Sequence, residues 1–210
     1  MEFNDVVRRR RMIRRYDPAR PVPEAVLRRC LENAVRAPSA GFSQGWDFVV
    51  LSTAAERDRF WAATTEPGGE PDAWLRGIRS APALIVCCSH KQAYLDRYAA
   101  PDKGWADREE ARWPVPYWDI DTGMAALLML LTAVDEGLGG LFFGVPAGRH
   151  DAVHAELGIP DDRTVVGVVA MGYAVSGPRS PSLSRHRRTV EEVSHWGRFG
   201  AHQGLDGVPG

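Results

Sequence analysis

DIDTGMAALLMLLTAVDEGLGGLFFGV, residues 119–145, reads as a long helix, a stop and a strand. Met124, Leu127, Leu128, Leu130 and Leu131 make its first part apolar nearly all round, which predicts a helix over Asp119–Glu136 that is buried on most sides. Gly137 ends that helix and Leu138–Val145 continues as a strand. The longest apolar stretch, Met124–Val134, is shorter than the roughly 20 residues a bilayer-spanning helix needs.

Working outward, Glu2–Arg11 has a short helical pattern that Asp17-Pro18 interrupts. Val26, Leu27, Cys30, Leu31, Ala34 and Val35 form one buried stripe on a helix from Glu24 to near Arg36. Trp46–Leu51 reads as a strand, and Thr53-Ala-Ala-Glu56 is a capping box opening another helix. Gly68, Gly69 and Pro71 mark a loop, and Ala83–Cys88 is apolar throughout and short enough for a fully buried strand. Residues 89–118 are irregular in pattern and read as an excursion that covers something. A short helix, His150–Leu157, closes at Gly158, and Val165–Met171 is a further strand. The irregular alternation of helices and strands gives the α+β class, a small sheet packed by helices around one long helix. We expect one domain over residues 1–199 and a flexible tail over 200–210.

With 210 residues, 44% of them hydrophobic and 25% charged, the chain can bury a core of normal size. Its formal net charge of -1 gives no electrostatic reason to expect nucleic acid or a membrane as partner. Cys30, Cys87 and Cys88 are odd in number, and the adjacent pair points to opposite faces of a strand, so a disulfide framework is not expected. The basic N-terminus lacks the apolar core of a signal peptide, and we expect a cytoplasmic protein.

The charge is unevenly spread. Arg8, Arg9, Arg10, Arg11, Arg14 and Arg15 crowd one end, and Arg185, Arg187 and Arg188 the other. Guanidinium groups repel one another, and a two-pronged set of donors suits a phosphate, although a solvated helix face is the plain alternative for any charge run. APSAGFSQGW, residues 37–46, adds hydroxyls from Ser39 and Ser43 and an amide from Gln44 on a backbone held open by Pro38 and Gly41. Such a loop can meet the edge of a flat heterocycle, or it can be an ordinary helix stop. Trp105, Trp113, Tyr117 and Trp118 are candidate pocket walls, with plain loop packing as the alternative. His150 and His154 have a spacing zinc can use, but no third ligand is evident and no metal is expected.

Taken in order, RRMIRRYDP (10–18), APSAGFSQGW (37–46), EGLGGLFFG (136–144) and RHRRTVEEV (185–193) resemble the FMN-dependent nitroreductase family over residues 2–199. The resemblance implies a nitroreductase-like mixed sheet packed by helices, and a homodimer with FMN at the interface. It implies that Arg10, Arg11, Met12 and Arg14 meet the phosphate, the ribityl chain and the pyrimidine side of the ring, and that Arg185 and Arg187 hold the phosphate. Pro38, Ser39, Ala40, Gly41, Phe42, Ser43 and Gln44 match the loop that the other subunit lays against the ring, and Leu141, Phe142 and Gly144 match the backbone near its reactive edge. Phe42, Trp113, Tyr117 and Trp118 are then the candidate substrate contacts.

The implied activity is hydride transfer from NAD(P)H through flavin N5 to a flat acceptor such as a nitroaromatic or quinone, in a ping-pong cycle. No side chain need act as nucleophile, acid or base. A cation beside the ring, for which Arg14 is the candidate, would favour the reduced flavin. Gly137-Leu-Gly-Gly lacks the strand-then-helix order of a dinucleotide fingerprint, so NAD(P)H would bind transiently over the flavin. NADH against NADPH, and FMN against a deazaflavin, stay open. Three positions depart from the family pattern: Met12 for a serine, Phe42 for an asparagine and Gly45 for a proline. Alternatives are a flavin dehydrogenase or oxidase acting on a biosynthetic intermediate, a non-catalytic flavin-binding protein and, from Arg8–Arg11, a nucleic-acid binder.

Overall fold

The computed structural model describes residues 1–66, 68, 70–177 and 184–202. They fall into two units, Met1–Ser176 and Gly177–Gly210. The first unit runs α1 (Phe3–Arg9), α2 (Glu24–Ala34), β1 (Trp46–Leu51), α3 (Ala54–Thr64), α4 (Ala73–Ile78), β2 (Ala83–Ser89), α5 (Lys91–Tyr98), α6 (Tyr117–Asp135), β3 (Gly139–Phe143), α7 (His150–Leu157) and β4 (Thr164–Gly172). The second unit holds α8 (Val190–Val193). From residue 203 onward, the expected tail lies outside the described residues, as does Gly69 of the expected loop.

Local chemistry sets the element ends. Thr53 and Glu56 close a capping box on α3, each satisfying an amide of the first turn. Gly137 at φ 75° and Gly158 at φ 62° take the left-handed turns that end α6 and α7.

The sheet has the order β1-β2-β4-β3, and each of its three strand pairs is antiparallel. Its parallel component is a single bridge from Met12 to Gly140, so the mixture expected for the sheet is confined to the N-terminal arm. Every residue of β2 is buried because helices cover both sheet faces. On one face Leu27, Cys30 and Ala34 of α2 and Ala125, Met129 and Ala133 of α6 pack on Ile85, Cys87 and Val169. On the other, Phe60, Trp61, Ile78 and Val153 pack on Leu84, Cys88 and Val168. Cys87 and Cys88 therefore do face opposite layers, with a register shift between them.

Two expectations are corrected. Residues 91–98 of the excursion form α5, whose Tyr94 and Leu95 are buried, and a 3-10 turn follows at Glu110–Arg112. Helix α6, long and apolar enough to cross a membrane by length and composition, is buried over more than half its length. Its burial leaves one face open: Tyr117, Ile120, Met124 and Leu127 form an exposed stripe, at helical spacing, on the face turned away from the sheet.

Candidate functional site

The N-terminal arm follows the outer edge of β3. Ile13 N–H donates to Gly140 O at 3.0 Å, and Asp17 N–H donates to Tyr173 O at 2.9 Å, so residues 12–17 run beside the sheet. Tyr16, almost fully buried, pins the arm by donating from its hydroxyl to Ile13 O at 2.7 Å. Burial pushes its phenol far above the ordinary value, against the opposing influence of Arg14. The approach is possible because Gly139 has no side chain: a Cβ there would stand 2.5 Å from Ile13 Cγ1.

This arm carries Arg10, Arg11, Met12 and Arg14, with Arg10 and Arg14 half-buried and Arg11 and Met12 exposed. Among the described residues none of the three arginines pairs with a carboxylate, whereas Arg29, Arg59, Arg97, Arg108, Arg112 and Arg163 all do. Cations held against a strand edge without an internal counter-charge suit an external anion, and the forked geometry of guanidinium suits phosphate.

Along the same edge, Leu141 is buried in the core and the Phe142 ring packs over Gly167, so those side chains are committed. The backbone is a different matter. Because Gly140 O faces outward to Ile13, strand alternation turns the Phe142 N–H and C=O outward too, where no backbone partner meets them among the described residues. Beyond the strand, Gly144 is exposed, and Trp74 stands edge-on to Phe143 at 6.1 Å with 42% of its surface exposed.

The loop 38–44 lies elsewhere, ahead of β1 at the opposite edge of the sheet. Gly41, Phe42 and Gln44 all have positive φ, at 61°, 58° and 51°. Ser43 Oγ donates to Ala40 O at 2.7 Å, and Ser39 Oγ accepts from Gln44 N–H at 2.7 Å, so both serines shape the loop itself. Phe42 is 77% exposed. From outside, Asp121 Oδ2 accepts Ala40 N–H at 2.8 Å and Arg97 Nε donates to Gly41 O at 2.9 Å. Arg97 is itself forked onto Asp102 at 2.8 and 2.7 Å.

The excursion folds back onto this loop as an aromatic cluster. The Trp113 ring lies 4.6 Å from Tyr98, 5.6 Å from Trp105, 5.8 Å from Tyr117 and 6.0 Å from both Tyr94 and Trp118. Trp118 is buried inside the cluster, while Tyr117 keeps an exposed face. Ion pairs Lys91–Glu110, Arg108–Asp96 and Arg112–Asp107 lace the outside.

The structure thus gathers the expected residues of the first unit into two groups on opposite sheet edges. Gly140, beside the arm, sits over Leu130, nine residues along α6 from the Asp121 that holds the loop, or about 14 Å of helix. In the second unit Arg185 and Arg187 are exposed, and Thr189 and Glu192 form a capping box that His186 joins. Sequence reasoning missed Trp74, Tyr94, Arg97 and Asp121. Only Asp121 carried a readable signal, a carboxylate in a mostly apolar helix.

The sequence profile described as the Nitroreductase family matches residues 7–173. An NADH dehydrogenase of Thermus thermophilus is 31% identical over 207 residues, 90% of this chain and 92% of that protein. Among solved structures, a nitroreductase family protein of Clostridium difficile superposes with a TM-score of 0.70 at 22% identity, over 95% of this chain and 100% of the other. A candidate nitroreductase of Exiguobacterium sibiricum, solved in complex with FMN, gives 0.69 at 22% identity over 93% and 97%. With the arm, the loop and the strand edge all lying inside or beside the matched span, the chain belongs to the nitroreductase family.

Proposed function

We propose that the protein is a homodimeric, cytoplasmic FMN-dependent oxidoreductase that uses NAD(P)H to reduce a flat acceptor such as a nitroaromatic or quinone. The observation that carries this reading is the set of arginines without a carboxylate partner among the described residues, Arg10, Arg11 and Arg14, on the arm held against the open edge of β3. The FMN in the Exiguobacterium structure and the name of the Thermus relative support the cofactor and the donor. FMN, when bound, would supply a ring that takes hydride at N5 and passes it on, donor and acceptor using one site in turn.

The chain's own part is to bind, orient and shield. Arg10 and Arg11 offer charge-assisted hydrogen bonds to the phosphate, and Arg14 brings a cation to the pyrimidine side. The outward Phe142 N–H offers a fixed donor to the ring edge, and Met12 lends an apolar contact. A partner subunit's loop, residues 38–44, would close the other face and carry Phe42 toward the acceptor. Trp113 and Tyr117 extend that wall, with Trp118 supporting it from beneath.

Division of the site between two sheet edges supports assembly from two chains, since one chain separates the halves. The exposed stripe Tyr117, Ile120, Met124 and Leu127 on α6 offers the apolar surface for it. Protein purified without added cofactor should be yellow, bleach on adding NADPH or NADH, and regain colour with a quinone. A colourless protein that stays colourless with added FMN overturns the reading. Consumption of NAD(P)H in steady state with generic acceptors separates a reductase from a dehydrogenase of a biosynthetic intermediate.

A further inference from the structure

Asp121 is 3% exposed on the core helix α6, yet its Oδ2 accepts two hydrogen bonds of 2.8 Å, from Ala40 N–H and from the Tyr94 hydroxyl. Burying a carboxylate costs several kcal/mol, and an interior-facing position on a mostly apolar helix has cheaper occupants. Both donors belong to the loop or to its support. Burial raises the Tyr94 phenol far above the ordinary value, keeping it a donor. Gly45 makes room for this: a Cβ there would stand 2.6 Å from Tyr94 Cε2. Tyr98, one helical turn beyond Tyr94, packs against Gly41, and Arg97 takes the Gly41 carbonyl. A loop with three left-handed residues draws on support from outside in addition to its own hydrogen bonds.

We propose that Asp121 is a positioning residue, which through Ala40 and Tyr94 fixes the 38–44 loop and so sets where Phe42 stands against the flavin and its acceptor. The proposal rests on the FMN reading above. Asp121 touches neither cofactor nor substrate; it acts through the loop. Its carboxylate and the Tyr94 hydroxyl make α5, α6 and the loop move as one piece, so the aromatic cluster and the Phe42 wall keep a constant gap.

The test compares Asp121→Ala, Asp121→Asn and Tyr94→Phe with Thr132→Ala, a buried α6 site that binds Asn33 and lies outside the loop. Each is measured for FMN dissociation constant, acceptor kcat and KM, Ala40 amide exchange and unfolding midpoint. Asp121→Ala should weaken FMN binding and raise acceptor KM about tenfold each, the worth of a hydrogen bond to a charged group, with accelerated Ala40 exchange. Asp121→Asn, which can keep an acceptor oxygen at the same place, should recover most of that, and Tyr94→Phe should fall between. Thr132→Ala should lower the midpoint while leaving FMN affinity and KM at wild-type values. Wild-type affinity and KM in Asp121→Ala, or the same losses in Thr132→Ala, overturn the positioning role while the yellow wild type keeps the reading of the site. A wild type that binds no FMN overturns the reading itself.

Discussion

Gly139 and Ile13 share a contact that leaves no room for a Cβ, and this contact puts the arginine arm against β3. Gly139→Ala should therefore destabilise the protein by about 1–3 kcal/mol, the range for overpacking a tight site, and weaken FMN binding with it. Gly148→Ala, where nothing lies within 4 Å of the added atom, is the matched comparison and should stay within about 0.5 kcal/mol. Urea unfolding with a flavin titration reads both.

Arg14 and Arg187 form no ion pair among the described residues, so reversing their charge breaks no salt bridge there. Arg14→Glu and Arg187→Glu should purify colourless, with melting temperatures within about 2 °C of the parent protein without flavin. Full flavin occupancy in either variant would falsify its assignment to the cofactor.

Phe42 holds a left-handed backbone, φ 58°, with its ring 77% exposed. Asparagine tolerates that conformation better than phenylalanine, so Phe42→Asn should stabilise the protein by about 0.5–1 kcal/mol. The same change removes an aromatic wall and should raise KM for aromatic acceptors by at least about threefold, with smaller effect on a non-aromatic one. Equal KM changes for both classes would detach Phe42 from acceptor selection.

Burial is the first cause that pushes the thiols of Cys30 and Cys87 up to about 12 and that of Cys88 to about 11. An unfolded thiol titrates near ~8.5. The folded state keeps its protons longer, so this stability is fully present below that value and is lost as pH rises toward 11–12. Cys30 and Cys87 should each contribute a slope of up to ~1.4 kcal/mol per pH unit in that window. Urea midpoints taken from about pH 7.5 to about pH 10.5 should fall, and fall less steeply in Cys87→Ala, once its own lower starting stability is subtracted. A flat profile over that window would remove the thiols from the account.

Several elements were legible because their causes are local. The Thr53–Glu56 box, the all-apolar 83–88 run and the glycines at 137 and 158 each act within a few residues, and α3, β2, α6 and α7 lie where those signals put them. Helix α5 escaped because Lys91, Gln92, Asp96 and Arg97 dilute its apolar pattern, while Tyr94 and Leu95 are buried by distant partners. The exposed stripe on α6 escaped for the opposite reason: an apolar residue reads the same whether it meets the core or solvent.

The α+β class, the strands and helices with local signals, and the family resemblance follow from the order of residues alone, since periodicity, capping and motif order are properties of neighbours along the chain. It took the folded chain to reveal that the arm reaches β3 across Gly139, that the loop hangs from Asp121 and Tyr94, and that one chain sets the two at opposite sheet edges. Those facts depend on close approach and on polar partners 27 and 81 positions apart, which no local pattern encodes.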